Sequence, residues 1–259
     1  MSQRPPVSVC MATYNGSAYV ADQLSSVLAQ LGPADEVVVV DDASTDGTVA
    51  VVESLGDPRV VLHVLPSNGG YAAAFETALT RAGGSRLLLA DQDDVWPEGR
   101  VATMQAALQT SGVVAGNISD LGTGLPLRGP FGQREWRLPT HSSRLRLLAG
   151  LALSNVPYFG SAMGLRRELL PLVLPYPPCA RELPDAWIAI TALLNDEMGH
   201  IREDVVRRRI HDSNASGRRR PLPRVVVGRI LFVRMVAEAL RRRRRLRHAP
   251  GRAAWNRWR

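Results

Sequence analysis

The 259-residue sequence predicts an α/β fold in which a mostly parallel sheet is flanked by helices and followed by a basic helical tail. Three observations carry this expectation. Short β-branched runs alternate with longer helical patterns over residues 1–118. The runs are apolar without alternation, as strands covered on both faces are. Each run also gives way to a loop of Asp, Asn, Gly or Ser, the place where open parallel sheets bind ligands.

In chain order, Val7 to Ala12 reads as the first strand, Ala18 to Leu31 as a helix and Glu36 to Val40, with four consecutive valines, as a buried strand. A helix from about Thr48 to Leu55, a strand Val60 to Leu65, a helix Tyr71 to Ala82 and a strand Arg86 to Ala90 follow. A helix beginning near Pro97 and a strand Val113 to Ile118 complete the series, which right-handed crossovers connect. Leu121 to Thr140 is rich in Gly, Pro and Arg and reads as a long excursion over the site. The second half resumes with a helix His141 to Leu151, an apolar glycine-marked segment Tyr158 to Met163 and a proline-rich loop Pro171 to Pro178. A helix Asp185 to Leu194 and a strand Ile201 to Ile210, leading into His211, Asp212, Ser213 and Asn214, end the body.

Composition narrows the classes. With 45% hydrophobic and 22% charged residues, the chain can bury a core and is not disordered. Cys10 and Cys179 lack the spacing of a zinc site or a disulfide framework, so they read as free thiols in a reducing compartment. The run Val7 to Ala12, following Pro5 and Pro6, is too short for a signal peptide, and no apolar run reaches the ~18 residues of a membrane span. A cytoplasmic protein is therefore expected. Net charge is +8, yet residues 218–259 hold 15 arginines and one acid, leaving residues 1–217 at −6. Such a tail addresses something anionic. The acidic strand-end rim has the wrong sign for a phosphate-backbone groove, so no nucleic-acid partner is expected.

The loops carry the chemistry. Asp91-Gln92-Asp93-Asp94 follows the strand Leu87 to Ala90, and Asp41-Asp42 ends the second strand in the same way. Taken singly, Asp93 and Asp94 read as caps for the helix near Pro97, and Asp41-Asp42 as a turn. Two acidic loops on one rim are harder to read as independent caps, because like charges gathered without a cation or donors repel. Hard divalent cations take carboxylate oxygens together with phosphate oxygens.

Four ordered strings resemble the family 2 glycosyltransferases of GT-A fold: Val7 to Gly16 (VSVCMATYNG), Asp41 to Thr48 (DDASTDGT), Asn68-Gly69-Gly70, and Asp91 to Pro97 (DQDDVWP). The last is similar to the rhamnosyltransferase-like branch. The resemblance implies a catalytic domain over residues 1–217, with a nucleotide-sugar half at 1–118, an acceptor half at 119–217, and a basic helical tail at 218–259. It implies that Ala12, Thr13, Tyr14, Asp42 and Asp41, with Asn68, Gly70 and Gln92, contact a nucleotide-diphosphate sugar. Asp91 and Asp93 would hold Mg²⁺ or Mn²⁺ and the sugar. Pro184-Asp185-Ala186-Trp187 resembles the family's aspartate-tryptophan element, which makes Asp185 the general base and Glu182 the fallback, with a helix-capping aspartate as the plain structural reading. Arg208-Arg209-Ile210-His211 with Asn214 is similar to a segment that approaches the diphosphate, implying that Arg209 binds it and that His211 serves as a metal ligand.

The implied activity is inverting transfer of a sugar, rhamnose or another deoxysugar by the branch, to a hydroxyl of a cell-envelope glycan or lipid-linked acceptor. A sugar nucleotidyltransferase, or a binding protein led by its arginines, is the alternative. Beyond residue 217, Val225 to Leu240 is apolar around most of the helical circumference, with a narrow stripe of Arg234, Glu238 and Arg241. Arg241 to Arg245 follow, with Trp255 and Trp258 near the end. The segment reads either as a peripheral anchor on an anionic membrane or as a helix packed on the domain with an arginine extension.

Overall fold

The computed structural model describes residues 5–139, 142–211 and 222–248. Seven strands form one sheet in the order β3-β2-β1-β4-β6-β5-β7. The first half builds it by crossovers: β1 (Val7–Thr13), α1 (Val20–Leu28), β2 (Glu36–Asp41), α2 (Thr48–Ser54), β3 (Val60–Val64), α3 (Tyr71–Arg81) and β4 (Arg86–Asp91). Next come α4 (Arg100–Ala107), β5 (Val113–Asp120), α5 (Arg144–Ala152), β6 (Met163–Arg166), α6 (Leu170–Val173), α7 (Pro184–Leu194), β7 (Met198–Arg208) and α8 (Leu222–His248).

The uninterrupted apolar strands are explained by burial on both faces. Along β1, β2 and β4, Val9, Met11, Val37, Val39, Leu88 and Ala90 point to one cluster, with α1, α2 and α4. Their neighbours Cys10, Val38, Val40, Leu87 and Leu89 point to the other, with α3, α7 and α8. The result is a three-layer sandwich, as the valine run predicts.

Three features depart from the sequence reading. β6 runs antiparallel between β4 and β5, although β5 pairs with β7 in parallel. Its Gly164 has no room for a side chain, since a Cβ would lie 2.6 Å from Leu88 Cδ2. The fourth helix starts at Arg100 rather than near Pro97, because Gly99, with φ of 80°, sets the turn into it. The tail helix continues through the arginine run to His248, and it is seated on the domain: Met235 and Ala239 are fully buried in the main core. Arg242 donates to the carbonyls of Leu172, Val173 and Pro175, with its guanidinium 5.0 Å from the Trp187 ring.

Candidate active site

In-register pairing brings the ends of β1, β2 and β4 together, with Thr13 opposite Asp41 and Ala12 opposite Asp91. The polar side chains there first hold the loops. Asp41, fully buried, accepts from Thr13 Oγ1 at 2.8 Å, from the Ser44 N–H at 2.8 Å and from Ser44 Oγ at 2.6 Å. Asp42 accepts the N–H groups of Gly69 at 2.7 Å and Gly70 at 2.8 Å, one on each carboxylate oxygen. Gln92 closes a two-point clamp on the backbone of Tyr14, accepting its N–H at 2.8 Å and donating to its carbonyl at 3.0 Å. Gly16 lies flush against that clamp, where a Cβ would sit 2.2 Å from Gln92 Oε1. Asn15 and Ala43, with φ of 48° and 60°, take the left-handed conformation at the two loop tips.

Ala12, Thr13, Tyr14, Asp41, Asp42, Asn68 and Gly70 thus share one rim, but in different capacities. Asp41 is occupied within its own turn. Asp42 retains lone pairs on both oxygens beyond its glycine bonds. The Tyr14 side chain and Asn68 stand exposed at the opening.

Carboxylate oxygens of Asp91, Asp93 and Asp94 lie within 4.8 Å of one another at the end of β4. They do not cap the next helix, whose N-cap is Gly99 and has no side-chain cap bond. Burial pushes the Asp94 carboxyl up to about 6, with Asp93 adding to the effect. Asp91 is raised well above the carboxylate range by burial, then by Asp94, Asp93 and Asp185, with Arg208 opposing. Three hard oxygen donors crowded so closely suit a divalent cation that also takes phosphate oxygens. His211 reaches the cluster through Asp93, its Nε2 2.8 Å from Asp93 Oδ2, and stacks on Tyr19 at 4.9 Å. Asp212, Ser213 and Asn214 lie outside the described residues.

The end of β7 sorts its arginines by side. Reciprocal bonds of 2.9 Å between Arg207 and Val95 fix the strand beside the cluster. Arg209, expected at the diphosphate, donates to Asp22 at 3.0 Å and to the Asp93 carbonyl, beside the cluster, at 3.3 Å. Arg208 is the guanidinium whose charge lowers Asp91, Asp94 and Asp185 alike.

Asp185 occupies the second position of α7, after Pro184, while the N-cap is Leu183 and has no side-chain cap bond. The Asp185 carboxylate accepts the N–H of Gly160 and also its own backbone N–H in the first turn of α7. Burial raises it, while those N–H groups and Arg208 pull it back. Glu182 is exposed at the surface, and its carbonyl accepts the Tyr71 hydroxyl at 2.7 Å.

Two contributors escaped the sequence reading. Arg100, 1% exposed, donates to the carbonyls of Leu89, Val205 and Ser161 and so ties β4, β7 and the turn Gly160–Ala162 together beneath the cluster. Its guanidinium lies 3.8 Å from the Trp96 ring, and burial lowers it to about 9 against the pull of Asp94 and Asp91. Gly160 allows Asp185 to approach, because a Cβ there would lie 2.5 Å from Asp185 Oδ1. An arginine at the start of a helix, against the helix dipole, is the one local signal that Arg100 offered.

Comparison with known proteins agrees with this geometry. The sequence profile of glycosyl transferase family 2 matches residues 8–170. An uncharacterized glycosyltransferase of Nostoc is 29% identical over 220 residues, 80% of this chain and 66% of that protein. The UDP-Glc:α-D-GlcNAc-diphosphoundecaprenol β-1,3-glucosyltransferase WfgD of Escherichia coli is 34% identical over 113 residues, 44% of this chain and 43% of that protein. The chain thus spans about two thirds of the first relative and less than half of the second. Among solved structures, residues 1–349 of Staphylococcus aureus TarS with UDP-GlcNAc superpose with a TM-score of 0.66 at 22% identity, over 92% of this chain and 72% of that one. The Mycobacterium tuberculosis glucosyl-3-phosphoglycerate synthase with Mn²⁺, UDP and phosphoglyceric acid gives 0.60 at 21% identity, over 92% and 78%. With the family profile covering more than half of its length and the GT-A sheet under its acidic rim, this chain is a glycosyltransferase of family 2.

Proposed function

We propose that the protein transfers a sugar from a nucleoside diphosphate to a hydroxyl of a cell-envelope glycan or lipid-linked acceptor, with inversion and with Asp185 as general base. The observation that carries this reading is the opposition of two carboxylate sites. The Asp91, Asp93 and Asp94 cluster ends β4, and Asp185 opens α7 close enough to raise Asp91. The first suits the diphosphate and its cation, the second the incoming hydroxyl. UDP-GlcNAc in the TarS complex and Mn²⁺ with UDP in the mycobacterial enzyme support the donor class. The diphosphoundecaprenol in the name of the E. coli relative supports a lipid-linked acceptor. A deoxysugar donor rests on the Asp91 to Trp96 string alone.

Asp91 and Asp93, with Asp94 beside them and His211 behind Asp93, would hold Mg²⁺ or Mn²⁺. Such an ion supplies positive charge against the departing diphosphate. The chain's own residues do the rest. Asp42, Asn68 and the Tyr14 loop frame the nucleoside, and the Gln92 clamp fixes that loop. Asp185 accepts the acceptor's proton as its oxygen attacks the anomeric carbon. Its bond from Gly160 and the charge of Arg208 oppose the burial that raises that carboxyl.

A thermal-shift panel of nucleotide-sugars with and without Mn²⁺ tests the donor half. Saturation at 100 times Kd stabilises by about 2.7 kcal/mol, a rise of roughly 5–10 °C. Asp93→Asn should lose the metal-dependent part of the rise. Asp185→Asn should keep donor binding while turnover collapses, and near-normal turnover in that variant would remove Asp185 from the reaction.

A further inference from the structure

Helix α8 has two faces, and among the described residues the domain packs against one of them. Phe232, Met235, Val236, Ala239 and Arg242 turn toward α6, α7 and the turn Pro178–Ala180. On the opposite side Val226, Ile230, Val233, Ala237 and Leu240 recur at i, i+4, i+7, i+11 and i+14, all exposed. Val226 is 59%, Ile230 53% and Val233 65% exposed, a continuous apolar strip rather than scattered residues. The next position on the same stripe, i+18, is Arg244. Exposed Arg234, Arg241 and Arg245 run along one flank.

We infer that this outer face of α8 is a docking surface for an anionic phospholipid bilayer, with the helix lying in the plane of the interface. The occupant follows from charge and shape together. Residues 222–248 carry nine arginines and a single acid, Glu238, which is already engaged by Arg241 and Arg242. A second copy of the helix would set arginines against arginines if parallel, and arginines against the valine strip if antiparallel. A nucleic acid would satisfy the arginines but leave Val226, Ile230 and Val233 in water. A bilayer takes both at once, because acyl chains accept the apolar strip while anionic headgroups accept the flanking and terminal guanidinium groups. The buried face holds the domain against the helix, so membrane seating brings α7, which begins at the site with Asp185, one helix layer from the lipid. The inference stands apart from the donor and base assignments.

Co-sedimentation of the full-length protein with phosphatidylcholine vesicles, with and without phosphatidylglycerol, tests it. Binding should require phosphatidylglycerol and weaken with salt. Arg244→Gln/Arg245→Gln should lower partitioning about thirty-fold at low salt, two cationic contacts being removed. Ile230→Gln/Val233→Gln should lower the binding that persists at high salt by about tenfold or more, since insertion does not depend on ions. All four side chains point to solvent, so both variants should melt like wild type. The inference is overturned if the full-length protein ignores anionic vesicles at low salt, or if the four-residue combination binds as wild type does. It is equally overturned if Ile230→Gln/Val233→Gln dissolves a dimer and leaves vesicle binding unchanged, which would assign the face to a second copy.

Discussion

Replacing Gly160 by alanine sets one methyl group against the carboxylate assigned as the base. The added Cβ would stand 2.5 Å from Asp185 Oδ1 and 3.0 Å from its Cγ, whereas ordinary contact begins near 3.4 Å, so the carboxylate must retreat by about 0.9 Å. The backbone of Gly160 is of a kind that alanine adopts readily, which confines the perturbation to that contact. Retreat breaks the bond from the Gly160 N–H, and a hydrogen bond to a charged group contributes about 1.5–3 kcal/mol. At roughly 2–4 °C per kcal/mol for a domain of this size, the melting temperature should fall by about 3–12 °C. Displacement of a reacting group by ~1 Å costs on the order of a hundredfold in rate. Turnover should therefore drop about that much while donor Kd, which the proposed function assigns to the β4 cluster and the Tyr14 loop, stays unchanged. Loss of an N–H that favoured the carboxylate also raises its pKa, so the acid limb of the pH–rate profile should move to higher pH. Single-turnover kinetics with a donor titration would separate these quantities. Wild-type turnover in Gly160→Ala, or a loss confined to donor affinity, would refute the reasoning.

Three further outcomes are expected. Gln92→Ala removes both hydrogen bonds to Tyr14, so donor KM should rise severalfold while stability changes by only about 0.5–1.5 kcal/mol, because water replaces exposed partners; calorimetry and kinetics together check it. Gly228→Ala places a methyl in open space on α8, where helix propensity should stabilise the fold by about 1 kcal/mol in urea titration. His200, kept neutral chiefly by burial and bonded to the Tyr158 hydroxyl at 2.7 Å, has a lowered pKa. The unfolded chain then binds the extra proton first, so stability should fall as pH drops below about 6.5, by at most about 1.4 kcal/mol per unit, and flatten in His200→Gln.

Much of the framework was legible because parallel strands leave a plain trace. Val37 to Val40 and Leu87 to Leu89 could be read as strands buried on both faces, and the acidic ends of those strands marked the rim. The Asp91, Asp93 and Asp94 cluster was legible for the same reason, since strand ends and charge stand side by side in the sequence. β6 was not, because four residues around Gly164 carry no periodicity and the glycine is dictated by Leu88 on a neighbouring strand. The division of labour among Arg207, Arg208 and Arg209 was also hidden, as it depends on which face of β7 each residue takes beside Val95. The tail helix outran its apolar stretch because arginine forms helices well and Arg242 found three carbonyls on the domain. Asn117 was also illegible in the sequence: it is 5% exposed, and its amide joins Leu138 to Ile201 and Arg202, contacts set by distant parts of the chain.

The reversed direction of β6 has an architectural consequence. β5 runs on to Asp120, while its antiparallel neighbour begins at Met163 opposite Ala115, so residues 121–162 are topologically the connection of one antiparallel pair. The segment returns to the sheet through the turn Gly160–Ala162, whose Ser161 bonds Asp94. A stretch wired this way can be lengthened, shortened or exchanged between homologues without re-threading the sheet, provided that the Gly160–Ala162 turn arrives intact. The proposed donor chemistry and acceptor choice would thereby rest on parts of the chain that are free to diverge at different rates.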